Sequence, residues 1–235
     1  MKTIIHLENL TKNYGQGEVI TPALRGVDLT LESGEFTAMA GPSGSGKSTL
    51  LNMIGGLDRP TSGRVEVEGR EISSLSSSEL SRLRRDRIGF IFQSYNLIPV
   101  LTALENAEYV LMLQGIPVKS RRDRLRKLLK EVGLEGMEDR FPRELSGGQQ
   151  QRVAIARAIV PEPALILADE PTANVDSKTA GMLLELMQRL NQEKGATFLF
   201  STHDPEVMKQ AMRLLLLKDG RISHDGQMLD GVDAS

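Results

Sequence analysis

Residues 36–51 carry the most specific chemical pattern in the chain. The apolar run Phe36–Ala40 is followed by Gly41-Pro42-Ser43-Gly44-Ser45-Gly46-Lys47-Ser48, and then by Thr49-Leu50-Leu51, which opens a helical pattern. Two glycines with four residues between them, followed by Lys-Ser, form a phosphate-binding loop when a strand precedes and a helix follows. The glycines let backbone N–H groups turn inward and approach anionic oxygens closely. The helix adds the positive end of its dipole. Lys47 supplies a point charge near the β- and γ-phosphates, and the Ser48 hydroxyl is placed to ligate Mg²⁺. A nucleoside triphosphate is the expected ligand.

A second pattern supplies carboxylates. The apolar strand Ala164–Ala168 runs straight into Asp169-Glu170. Asp169 is expected to hold the metal, directly or through water, and Glu170 to orient and deprotonate an attacking water. Two further strands end in polar residues: Ile88–Phe92 is followed by Gln93, and Thr197–Ser201 by Thr202-His203. In open α/β sheets ligands gather beyond the carboxyl ends of the strands, so four strand ends are expected to converge on one crevice.

A third pattern lies far from the first. Leu145-Ser146-Gly147-Gly148-Gln149-Gln150-Gln151-Arg152 opens a helix that runs to about Val160. Ser146 is a natural N-cap, and two glycines in the first turn expose N–H groups to an approaching anion. Glycine costs a helix about 1 kcal/mol relative to alanine, so something other than helix stability is expected to favour the pair. The chain thus carries two anion-binding elements.

The elements that must position these residues follow from periodicity. Lys2–Leu10, Val27–Leu31 and Arg64–Glu68 read as strands of a β-rich start. Leu125, Leu128, Leu129 and Val132 fall at helical spacing before Gly133, as do Leu183, Leu186, Met187 and Leu190 before Gly195. Strands alternating with helices imply an α/β fold with a mainly parallel, doubly wound sheet. From about Ser94 to Val160 strand signals vanish, which predicts a helical insertion. The expected organisation is one domain, 1–235, with 1–93 and 161–235 as the nucleotide-binding core and 94–160 as an all-helical subdomain. Ser73–Ser78, five serines in six residues, reads as a short polar loop.

Composition narrows the classes. The chain has 235 residues, and its zero cysteines exclude a disulfide framework, a thiolate zinc site and a cysteine nucleophile. A formal net charge of −2 argues against nucleic acid as a partner, because such binding needs a basic surface. No apolar stretch approaches the ~18 residues of a membrane span, and charges interrupt Met1–Glu8, so no export signal is expected. The basic cluster Arg121, Arg122, Arg124, Arg126, Lys127 and Lys130 reads as a solvated helix face.

Leu145–Gln149, the phosphate loop and Ala164–Glu170 together resemble the nucleotide-binding subunit of ABC transporters, across essentially the whole chain. The resemblance implies a P-loop NTPase core of the ABC ATPase fold, with ATP and Mg²⁺ as ligands. It implies that Tyr14 stacks on adenine, that Gln93 contacts nucleotide and metal, that Asp176 lies in the loop after the carboxylates, and that His203 is the switch histidine. It also implies a head-to-tail dimer with a second copy or a homologous subunit. Each ATP would then lie between residues 41–49 of one protomer and Ser146, Gly147, Gly148, Gln149 and Asp176 of the other. Val175 stands where the family commonly has Leu.

Phe92–Pro99 and Leu101–Asn106 further resemble the lipoprotein-release and macrolide-export ATPases. That implies a peripheral subunit on the cytoplasmic face of the cell membrane, powering a separate integral membrane permease for lipoproteins, peptides or lipophilic compounds. A non-transporting cell-division ATPase, signalling through its permease to cell-wall hydrolases, is the alternative. A chromosome-organising ATPase is excluded because residues 48–145 lack sustained heptads. The apolar residues Leu97, Ile98, Val100, Leu101 and Leu104 need a core or a partner, and Leu97, Val100 and Leu101 are expected to face the permease.

Overall fold

The computed structural model describes residues 2–15 and 20–227; Met1 and the last residues of the span 161–235 lie outside them. Two sheets organise the chain. The N-terminal strands β1 (Thr3–Tyr14), β2 (Thr21–Glu32), β4 (Ser62–Val67) and β5 (Arg70–Glu71) form an antiparallel sheet in the order β2-β1-β4-β5. The larger sheet has the order β10-β9-β3-β8-β7-β6, from β3 (Phe36–Ala40), β6 (Ile88–Ile91), β7 (Leu165–Ala168), β8 (Thr197–Ser201), β9 (Arg213–Lys218) and β10 (Arg221–Gly226). Its pairs are parallel except β9 with β10, which turn back on each other at Asp219-Gly220, both with positive φ.

The apolar runs of the central strands follow from burial on both faces. Along β3, Phe36, Ala38 and Ala40 enter one core while Met39 enters the other. Along β7, Ile166 and Ala168 face the first core, Leu165 and Leu167 the second, and along β8 Phe198 and Phe200 oppose Leu199. The second core lies under the antiparallel sheet with helices α1 (Lys47–Ile54) and α2 (Ser77–Arg87). The first lies under α3 (Ala103–Leu113), α4 (Val118–Glu131), α5 (Gly147–Ile159) and α6 (Ser177–Lys194). Residues 94–160 contain α3, α4, α5 and a short 3-10 turn at Pro142–Glu144, and their apolar residues share the first core with the sheet.

Leu125, Leu128 and Leu129 are the buried stripe of α4, and α6 ends at Gly195 with φ 65°. The serine run departs from a simple loop. Ile72–Ser74 is a 3-10 turn, and Ser76 accepts from the Glu79 N–H while Glu79 accepts from the Ser76 N–H, a capping box that starts α2. Serine at high density marks a cap here, not an unstructured connection. No helix among the described residues is long and apolar enough to cross a membrane.

Candidate nucleotide-binding site

The loop Gly41–Gly46 leaves the end of β3 and turns into α1. Gly41 has φ 145°, and a Cβ there would collide with the Leu217 carbonyl; Gly46 has φ 108°, with the Ala23 carbonyl 2.6 Å from where its Cβ would stand. Only glycine fits either position. Gly46 is also the N-cap of α1, and no side chain caps that helix, whereas Ser76, Thr102, Ser146 and Asp176 cap α2, α3, α5 and α6. The first-turn N–H groups of α1 are thereby left to whatever enters the cleft beside them. Lys47 is 8% exposed and donates to the carbonyls of Gly41 at 2.6 Å and Pro42 at 3.0 Å.

The cleft has a volume of about 380 Å³, and Gly41–Gly44, Gly46–Thr49, Glu170 and His203 line most of it. Ser45 is buried behind the loop. Asp169 and Glu170 follow β7, and His203 follows the neighbouring β8, so adjacent parallel strands deliver these groups to the end of β3. Glu170 has φ 45°, a left-handed conformation uncommon outside glycine and enriched at functional sites. Its Oε1 lies 3.2 Å from His203 Nδ1. Ser201, the buried last residue of β8, donates to Asp169 Oδ1 at 2.6 Å and accepts from the Glu170 N–H at 2.9 Å.

These residues suit a triphosphate with a hard cation. Mg²⁺ takes oxygen donors, commonly one or two from the protein and the rest from phosphates and water. Ser48 and Asp169 offer such oxygens, and no cluster of three metal-ligating side chains occurs among the described residues. Phosphate and water oxygens would complete the shell of a cation here.

Other expected site residues stand apart from this cleft. Tyr14 does not line it; its hydroxyl donates to Asp58 Oδ2 at 3.0 Å, and the Lys12 ammonium lies 4.8 Å from its ring centre. Burial raises the Tyr14 phenol, the Thr49 hydroxyl opposes that shift, and Asp58 adds to it. Gln93 is exposed, and its carbonyl accepts from Asn174 Nδ2 at 2.9 Å. Ser146, Gly147, Gly148 and Gln149 begin α5 away from the cleft lining, with Ser146 and Gln149 closing a capping box. Asp176 caps α6 by accepting from the N–H and hydroxyl of Thr179, which hold its carboxyl below the usual range.

The paired glycines have a packing reason that sequence did not reveal. A Cβ on Gly147 would come 2.7 Å from the Tyr95 hydroxyl, and one on Gly148 would come 2.5 Å from Thr179 Cγ2. Tyr95 in turn donates to the Asn174 carbonyl at 3.1 Å, and Arg157 of α5 donates to the carbonyls of Tyr95 and Asn96. The segment after β6, the last turn of α5 and the loop before α6 are therefore one hydrogen-bonded node. Ser201, Tyr95 and Asn174 were not expected at the site. Ser201 was detectable as a lone hydroxyl ending an apolar strand, while the Tyr95–Asn174 contact joins residues 79 apart in sequence and left no local signal.

Leu97 packs against the first core, and Asn106 ties down its neighbours by binding Ile98, Leu101 and Thr102. Of the three residues expected to face a partner, Val100 is the open one, at 78% exposure. A separate apolar groove of about 380 Å³ lies between α2, β6, α3 and α5, with Leu57, Phe90, Phe92, Tyr109 and Leu113 in its walls.

The family model described as "ABC transporter" matches residues 24–173. An ABC transporter ATP-binding protein of Methanocaldococcus jannaschii is 47% identical over 234 residues, covering 98% of this chain and 99% of that one. The lipoprotein-releasing system ATP-binding protein LolD of Anaeromyxobacter dehalogenans is 48% identical, covering 94% and 93%. The macrolide export ATP-binding/permease protein MacB of Marinobacter nauticus is 46% identical over 95% of this chain but only 35% of its own length. Among solved structures, a dimeric ATP-binding cassette in a post-hydrolysis state bound to ADP and Pi superposes with a TM-score of 0.89. That chain is 46% identical, and the match covers 96% of this chain and 99% of that one.

Proposed function

The chain belongs to the ABC transporter family as an ATP-binding subunit of the lipoprotein-release and macrolide-export type, and from that premise we propose that two copies close head to tail around two ATP molecules to drive a membrane permease. The observation that carries this reading is the separation of the two anion-binding elements. The cleft offers the phosphate loop, Glu170 and His203, while Ser146–Gln149 present a second helix N-terminus outside it. A phosphate chain held by the first element still has one side open, and the second element of another copy is the complementary surface.

In this assignment the uncapped turn of α1 and residues 41–49 bind the triphosphate, with Lys47 releasing the loop carbonyls to reach its β- and γ-oxygens. Ser48 and Asp169 hold Mg²⁺, which when bound offsets phosphate charge. Glu170 accepts a proton from water as the water oxygen bonds to the γ-phosphorus and the bond to the β–γ bridging oxygen breaks. His203 steadies the Glu170 carboxylate. Tyr14, turned by Asp58, stacks on adenine, and Gln93 reports the γ-phosphate to the helices that follow it. Asp176 faces the other copy.

The subunit acts on the cytoplasmic face of the membrane, and the α2–α3–α5 groove receives a helical cytoplasmic segment of the permease by its apolar face. The names of the LolD and MacB relatives support extraction or export of lipoproteins or lipophilic compounds as the work performed.

Ser146→Arg tests the shared site. It should leave ATP affinity of the isolated monomer within about twofold, at a capping cost of ~1 kcal/mol in stability, and eliminate both the ATP-dependent dimer and hydrolysis. Collapse of monomer affinity would instead place Ser146 in its own protomer's cleft.

A further inference from the structure

Ser201 joins the two carboxylate-bearing residues through one atom. Its hydroxyl has a single proton to give. Asp169 Oδ1 is an acceptor when ionised and the Glu170 N–H is only a donor, so the proton goes to Asp169 and a lone pair meets the Glu170 amide. Chemistry alone fixes the direction of both bonds. Ser201 is fully buried at the end of β8, and among the described residues no other side chain hydrogen-bonds the Asp169 carboxylate. The Asp169 backbone is separately fixed, because its N–H donates to the Ile91 carbonyl of β6 at 2.9 Å.

Both consequences bear on the reaction. One Asp169 oxygen is taken, leaving the other available to a cation. The Glu170 amide is clamped where φ is 45°, a conformation that a free non-glycine residue leaves readily. Relaxation there would turn the Glu170 carboxylate from His203 and the cleft. We propose that Ser201 is a positioning residue for ATP hydrolysis, setting the Asp169 carboxylate and the left-handed turn of Glu170 with a single buried hydroxyl. This rests on the assignment of Asp169 and Glu170 to the site.

Thr197 provides the matched control. It lies at the opposite end of β8, is equally buried, and its hydroxyl accepts from the Gly34 N–H at 3.0 Å. Removing either hydroxyl orphans one partly buried amide, and Ser201→Ala also takes the donor from Asp169, so both variants should melt lower, Ser201→Ala by at least as much. The experiment compares Ser201→Ala, Thr197→Val and Glu170→Gln for melting temperature, for kcat and KM, and for binding of a fluorescent ATP analogue as free Mg²⁺ is raised.

Ser201→Ala should bind the analogue normally without Mg²⁺. Its kcat, or the Mg²⁺ dependence of its binding, should worsen by about 10–100-fold, the range typical of groups that orient metal ligands, with KM nearly unchanged. Thr197→Val should melt lower but turn over like wild type. Wild-type kcat and Mg²⁺ dependence in Ser201→Ala, beside an inactive Glu170→Gln, would overturn the proposal. So would equal losses of kcat in Ser201→Ala and Thr197→Val, which would make the effect one of stability alone. Full activity in Glu170→Gln would instead refute the underlying assignment.

Discussion

Glu170 occupies backbone space that suits glycine, with φ 45°, yet is a carboxylate residue in the lining of the cleft. A left-handed residue with a Cβ costs roughly 1–2 kcal/mol, and the Ser201 hydroxyl and the strand ends around it hold the residue there. The strain belongs to the backbone and not to the carboxylate. Glu170→Gly and Glu170→Ala lose the same contact to His203, so they differ in the Cβ alone. Both should be inactive, and Glu170→Gly should be the more stable by about 1 kcal/mol, or some 2–4 °C in Tm, despite the greater unfolded-state entropy of glycine. Calorimetry of the pair checks this. An alanine variant that melts higher would show that the turn is unstrained.

At the level of elements, the contrast among helix starts is informative. Of helices α1 to α6, four are closed by a Ser, Thr or Asp side chain, whereas α1 and α4 are not, and of these two only α1 starts in the lining of the cleft. A side-chain cap is worth ~1 kcal/mol to a helix, and in the proposed function the phosphates take its place at α1. Helix α3 shows a second asymmetry. Ala103, Leu104, Ala107 and Leu111 are buried, while Tyr109, Met112 and Leu113 remain exposed, Tyr109 and Leu113 in the wall of the groove. An exposed apolar change should alter stability by no more than ~0.5 kcal/mol. Leu113→Asp is therefore expected to keep nucleotide binding and Tm and to lose co-purification with the permease. Undiminished co-purification would remove the groove from the coupling path.

The same elements explain what was legible in the sequence. Strands β3, β7 and β8 stood out because burial on both faces makes them continuously apolar. The groups that follow them sit in contiguous motifs, so Gly41–Thr49, Asp169, Glu170 and His203 could be read together. Helix α2 did not stand out, since only Leu80 and Leu83 of its 11 residues are buried. Strand β10 is an edge with no fully buried residue. The Ser201 clamp depends on β8 lying beside β7, and its partners are 31 and 32 residues away. That Leu97 is the one that packs against the core depends on Asn106 folding the intervening loop back on α3, which no local pattern marks.

At the scale of the whole molecule, the chain spans nearly all of the LolD relative and 35% of the MacB relative, whose name includes a permease. Its two sheets and helices assemble one cleft lined by residues 41–49 and leave the start of α5 outside it. In the proposed dimer another copy supplies what each lacks. ATP then acts as the contact between copies, and hydrolysis ends the contact. Size-exclusion chromatography of Glu170→Gln with and without ATP is the most direct measurement. With the proton acceptor neutralised and the phosphate loop intact, the variant should bind ATP, fail to turn it over and elute as a dimer only when ATP is present. A Glu170→Gln protein that binds ATP yet remains monomeric at every ATP concentration, or that hydrolyses ATP at the wild-type rate, would contradict the account.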